Sequence, residues 1–123
     1  MNIDFLIDGE AAILQLEGRF TLGSDAEMLR AKEGVAESGK QKVIADCSRV
    51  PYLDSTALNF LVGLYTMVKT AGGKFAICGI NARMREVLRI THLDEIIPMA
   101  ETREGALAVL AHAAERSDSA TEA

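Results

Sequence analysis

Two short apolar runs with a helical stretch between them restrict this chain more than any other feature. Lys42-Val43-Ile44-Ala45-Asp46-Cys47 and Lys74-Phe75-Ala76-Ile77-Cys78 have strand length, and the first is β-branched and continuous, as expected of a strand covered by helices. The stretch between them, from about Ser55 to Ala71, has helical apolar spacing, Lys69 in its last turn and Gly72-Gly73 as a C-terminal signal. Strand, helix and strand in this order imply a parallel pair with a right-handed crossover and helices packed on the sheet.

The flanking segments extend that unit. Phe5-Leu6-Ile7, then Asp8-Gly9, then Ala11-Ala12-Ile13-Leu14-Gln15-Leu16 reads as an antiparallel hairpin with Asp-Gly at its turn. A first helix is predicted from Ser24 as N-cap, with Glu27 at the capping-box position, through Met28, Leu29, Lys32 and Val35 to Ser38-Gly39. A third helix fits Asn81 to Ile90, capped by Asn81, with Met84, Val87 and Leu88 as its apolar stripe. Ile96-Ile97-Pro98-Met99 has room only for an edge strand, where proline is tolerated. The last helix is predicted over Arg103 to Ala114 with Thr102 as cap and Ala106, Leu107, Val109 and Leu110 inward. The expected fold is therefore one α/β domain over residues 1–114, a mixed sheet with an antiparallel N-terminal hairpin and parallel strands, packed with about four helices. Glu115 to Ala123 is too polar to offset its ordering entropy and is expected to be disordered.

Charge narrows the function classes. The chain carries 18 acidic and 13 basic residues, a net charge of −5, with no Trp and no Lys/Arg cluster. Nucleic-acid binding needs a basic footprint and usually stacking aromatics, so it is disfavoured. The strongest apolar stretch, Ala57 to Val68, falls short of the roughly 18 residues of a membrane span, and the N-terminus has no signal pattern. A cytoplasmic protein without membrane insertion is expected. Cys47 and Cys78 end apolar runs and read as reduced, packed side chains rather than a disulfide scaffold.

The chemistry-bearing stretch is Leu53-Asp54-Ser55-Thr56-Ala57-Leu58, which puts three oxygen-bearing side chains at a helix N-terminus. Unpaired N–H groups and the helix dipole hold an anion such as a phosphate there at little cost. Ser55 fits two roles, a plain N-cap and a modified hydroxyl. Ala57, Leu58, Leu61, Leu64, Tyr65 and Val68 share the core face of this helix, while Thr56, Phe60, Gly63 and Met67 form a second stripe. That stripe reads either as a partner-docking surface or as a face covered by another helix of the same domain.

The sequence resembles the STAS domains, specifically the bacterial anti-sigma factor antagonists. Leu53-Asp54-Ser55-Thr56-Ala57-Leu58 after Val43-Ile44-Ala45-Asp46 is similar to their Asp-Ser-Ser/Thr-Gly-Leu-Gly pattern, and the likeness runs over about residues 3 to 112. It includes Leu-Glu-Gly-Arg-Phe at Leu16 to Phe20, and Ile90-Thr91-His92-Leu93-Asp94 where the family has Leu-Thr-Gly-Leu-Asp. The resemblance implies that Ser55 is the phosphorylated serine, with Asp54 and Thr56 as its recognition neighbours. It implies as partners an anti-sigma factor that is also a serine kinase, bound by the unphosphorylated antagonist so that a sigma factor is freed, and a serine phosphatase. Ala57 and Asn59 depart from the pattern by replacing two glycines, and Ala57 adds a methyl group where a partner backbone approaches. The expected contact set is Asp54, Thr56, Ala57, Asn59, Phe60, Gly63 and Met67. Asp54 also adds negative charge, pointing to a basic or metal-bearing partner site.

Competing chemistries lack their residues. Ser55 has no Gly-x-Ser-x-Gly elbow, and His92 and His112, the only histidines, fall in a turn and near a helix end, without a catalytic role. Cys47 has no paired base. Asp46 after its strand evokes a phospho-aspartate receiver, yet the late strand has no lysine. No close-spaced His/Cys group suggests a metal and no phosphate-binding glycine loop suggests a nucleotide, so the expectation is a non-enzymatic module without cofactor. The second class retained is a constitutive STAS subunit of a membrane-associated transport complex or of a stress-signalling scaffold.

Overall fold

The computed structural model describes residues 2–18 and 25–111. The Ser24 cap, the Arg19-Phe20 end of the N-terminal motif, His112 and the polar tail lie outside them. β1 (Asn2–Asp8) and β2 (Ala11–Glu17) form the hairpin, followed by α1 (Asp25–Ser38), β3 (Lys42–Arg49), α2 (Ser55–Thr70), β4 (Lys74–Cys78), α3 (Ala82–Ile90), a 3-10 turn (Leu93–Glu95) and β5 (Met99–Ala100). A last helix, α4, covers residues 103–111. The sheet order is β1-β2-β3-β4-β5, antiparallel between β1 and β2 and parallel elsewhere.

The three inner strands divide their side chains between two cores. Ala12, Leu14, Val43, Ala45, Phe75 and Ile77 face one side, where Val35 of α1, Leu61 and Leu64 of α2 and Leu88 of α3 meet them. Ala11, Ile13, Ile44, Ala76 and Cys78 face the other, where Ala106 and Leu110 of α4 close the layer. Because successive strand residues point to opposite faces, burial on both sides makes the sequence continuous in apolar residues rather than alternating. Each fully buried Leu or Ile here contributes about 1.5–3 kcal/mol. β1, at the sheet edge, keeps Phe5, Leu6 and Ile7 partly exposed.

Helix ends follow the sequence signals closely. α2 closes with Gly72 at φ +84°, its N–H donating to Lys69 O and that of Gly73 to Val68 O, the paired bonds of a Schellman motif. Thr102 Oγ1 accepts from Gly105 N at 3.0 Å at the start of α4. The last strand falls later than expected. Ile96 sits in a turn and is exposed, Ile97 is buried, and only Met99 and Ala100 pair with Ile77 and Cys78. The displacement has a local cause: Ile96 N and Ile97 N both donate to Leu93 O, which holds that stretch in a turn until Pro98 O accepts from Ile77 N.

His92 takes the left-handed conformation, φ 63°, and is the non-glycine residue doing so among those described. It stands where the family pattern has glycine, and its side chain is exposed with Nδ1 3.4 Å from Glu95 Oε2, a pair too open to offset the backbone cost. His92→Gly is therefore expected to raise the unfolding free energy by about 0.5–1 kcal/mol in a urea titration. Gly79→Ala is the opposite case. With φ +72° and the new Cβ 2.7 Å from Ser48 N, it is expected to lower that free energy by about 2 kcal/mol or more.

Candidate functional site

The N-terminus of α2 is built by Asp54, not Ser55. Asp54 is extended, its carbonyl accepts from Leu58 N at 2.9 Å, and its Oδ1 accepts from Ala57 N at 2.9 Å. A cap has to combine an extended backbone with a side-chain oxygen reaching the third helical N–H, and Asp54 meets both conditions. This corrects the capping alternative for Ser55: it is the first helical residue, exposed, with its hydroxyl outside the cap bond. The Asp54 carboxylate is held to the helix by that bond, beside the positive end of its dipole.

The loop that presents Ser55 is fastened at several points. Val50 and Leu53 are buried. Asn81 Nδ2 donates to Pro51 O at 3.0 Å, while its Oδ1 accepts from Met84 N at 2.8 Å and caps α3. The Arg83 guanidinium lies over the Tyr52 ring, 5.7 Å from its centroid, a cation–π contact. The expected cap at Asn81 is found, but its second bond to Pro51 and the Tyr52–Arg83 contact cross about 30 residues, where no periodicity links them.

The second stripe of α2 does not stay together. Phe60 is 3% exposed and belongs to the core, with the Lys32 ammonium of α1 5.9 Å from its ring centroid. Of the two readings of this stripe, cover by a helix of the same domain therefore holds for Phe60. Leu58 and Tyr65, expected in the core, are only partly buried, so the buried face is rotated toward Phe60. Thr56, Asn59 and the rim of Phe60 line a groove of about 360 Å³ with Met28, Leu29 and Lys32 of α1. Ala57 is wholly buried beneath the first turn and faces the core. Gly63 touches Lys32: a Cβ there would stand 2.9 Å from Lys32 Nζ. Met67 lies about 18 Å along the helix from Ser55 and lines a different groove, of about 270 Å³, with Val35 and Gly73. The structure thus groups Asp54, Ser55, Thr56, Asn59 and the edge of Phe60, and separates Met67 from them.

Other reactive groups are buried or paired. Cys47 and Cys78 are free and buried, and burial pushes both thiols up to about 12, too high to supply a thiolate nucleophile at neutral pH. Asp46 receives Ser48 N at 3.0 Å and Arg103 at 3.4 Å, an ion pair joining β3 to α4. Among the described residues no group of three His, Cys, Asp or Glu side chains could hold a metal, and no helix is long and apolar enough to cross a membrane.

A family model described as the STAS domain matches residues 2–106. The anti-sigma-B factor antagonist of Bacillus subtilis is 36% identical over 106 residues, spanning 85% of this chain and 95% of that protein. Among solved structures, an anti-sigma factor antagonist from Mycobacterium paratuberculosis resembles the chain with a TM-score of 0.78 at 19% identity, covering 89% and 92% of the two chains. The Bacillus cell fate determinant SpoIIAA in its phosphorylated form does so with a TM-score of 0.66 at 15% identity, covering 87% and 97%. At such identities the structures establish a common fold.

The division of roles between Asp54 and Ser55 has a direct test. Asp54→Ala is expected to cost about 1 kcal/mol of stability by removing the cap, while Ser55→Ala stays within about 0.5 kcal/mol of wild type in the same denaturation series.

Proposed function

The chain belongs to the STAS domain family, and on that premise we propose that it is an anti-sigma factor antagonist switched by phosphorylation of Ser55. Its partner is an anti-sigma factor with serine kinase activity, which it binds while unphosphorylated, and a serine phosphatase returns it to that state. The observation that carries the reading is the exposed Ser55, left outside the helix cap that Asp54 makes and one residue before Thr56, which lines the groove with α1. A kinase has to reach the hydroxyl without unwinding the helix, and a residue at the first helical position outside the cap bond permits that.

The same placement explains how charge acts on binding rather than on folding. A phosphate at Ser55 carries close to two negative charges beside the positive helix end, which favours it, although the Asp54 carboxylate shares that end and reduces the gain. The domain therefore stays folded. At an interface packed over Thr56 and Asn59 the added charge has to be desolvated, and a cost of about 3 kcal/mol weakens binding more than a hundredfold.

Native-lysate capture with wild type and Ser55→Asp in parallel, followed by affinity measurement on the purified kinase, checks this reading. Wild type and Ser55→Ala are expected to bind alike and Ser55→Asp at least a hundredfold more weakly, with phosphorylation by that kinase mapping to Ser55. Equal retention of the same transporter or scaffold proteins by wild type and Ser55→Asp would replace the switch with the constitutive-subunit reading.

A further inference from the structure

Lys32 stands out among the basic residues near the Ser55 turn. The residue is half-buried with its ammonium 5.9 Å from the Phe60 ring centroid and, among the described residues, no carboxylate lies within ion-pairing distance of it. A lysine in such a position ordinarily turns to solvent or to an acidic neighbour, because its long side chain loses rotamer freedom when held. Here α2 makes room for it. Gly63, in the middle of a helix where alanine is the better former, lacks the Cβ that would stand 2.9 Å from Lys32 Nζ and 3.4 Å from its Cε. The groove around the ammonium is otherwise mostly apolar on the α1 side, with Met28 and a largely exposed Leu29, 57% accessible, while Thr56 and Asn59 offer uncharged polar groups from α2. Asp25 also lines it, at the first turn of α1, where a helix N-terminus favours its charge.

We propose that Lys32 is a specificity-determining residue of the partner interface, and that the groove between α1 and α2 receives a partner segment bearing a carboxylate beside an apolar side chain. This rests on the binding partner named above and deepens it by fixing the partner's chemistry. The carboxylate pairs with the Lys32 ammonium, and the apolar side chain covers Leu29 and Met28. Charge complementarity at Lys32 selects this occupant: although Asp25 lines the same groove, it is not ion-paired with the Lys32 ammonium, which among the described residues has no carboxylate partner and lies over an aromatic ring, so a basic or wholly apolar segment would leave it uncompensated and desolvated. Thr56 and Asn59 join the groove to the Ser55 turn, so a phosphate on Ser55 would enter the same interface with the charge sign of the arriving carboxylate. The partner carboxylate and the phosphate then compete for one positive field, which gives repulsion on phosphorylation a specific source.

The test uses the purified full chain and the purified kinase partner, with affinity measured at low and high salt. Lys32→Met keeps the methylene stem over Phe60 and is expected to weaken binding about tenfold, with a flatter salt dependence and a thermal midpoint close to that of wild type. Gly63→Ala is expected to weaken binding as well, by displacing the ammonium, while raising the thermal midpoint by about 2–5 °C through helix propensity. A site of purely structural importance would not separate affinity from stability in this way. Binding within twofold of wild type for both variants, with unchanged salt dependence, overturns the proposal. Ser55→Asp run beside them reads the switch on its own: retained binding there with loss in Lys32→Met keeps the groove and removes the switch, and the reverse pattern removes the groove alone.

Discussion

Burial of β2, β3 and β4 on both faces is the constraint from which the rest of the structure follows. Ala12, Leu14, Val43 and Ala45 on one side and Ala11, Ile13 and Ile44 on the other leave no face that water can wet. Three helices are laid over the first side and α4 over the second. The N-terminus of α2 reaches the surface because the crossover from β3 to β4 has to begin there, at the carboxyl end of a buried strand. The presentation of Ser55 is thus a product of sheet coverage, and the loop Val50–Asp54 makes the turn from a strand inside the core to a helix over it.

That loop is rigid through polar contacts rather than size. Asp54 closes the helix end, Asn81 ties Pro51 to α3 while capping it, and Arg83 covers Tyr52. Each is modest alone, about 0.5–1.5 kcal/mol for a typical hydrogen bond, but together they fix the position of one exposed hydroxyl. Under the proposed switch, a hydroxyl held in this way would lose little conformational entropy when a kinase docks on it.

Much of this was legible in advance, and for definite reasons. The antiparallel hairpin follows from Asp8-Gly9, with Gly9 at φ +61°, and the parallel pair from two apolar runs around an amphipathic helix. The Gly72-Gly73 stop, the Asn81 cap and the Thr102 cap were equally plain, since caps are local and depend on a few neighbouring backbone groups. The site was read less completely. Asp54 and Ser55 are both good caps, and composition does not choose between them. Phe60 and Met67 share a helical stripe, yet α1 covers the former and a different groove takes the latter, because helix periodicity says nothing about which neighbour lies beside a face.

By itself the sequence determined what is set by near neighbours and by the alternation of apolar residues: the elements, the mixed sheet, the family and the serine at the start of α2. Tertiary structure alone decided that Phe60 is core and that the Lys32 ammonium lies over it in the space Gly63 leaves. The physical reason is distance along the chain. Hydrogen-bonded turns and caps close within a few residues, whereas the meeting of α1 with α2 depends on how both helices pack on one sheet face.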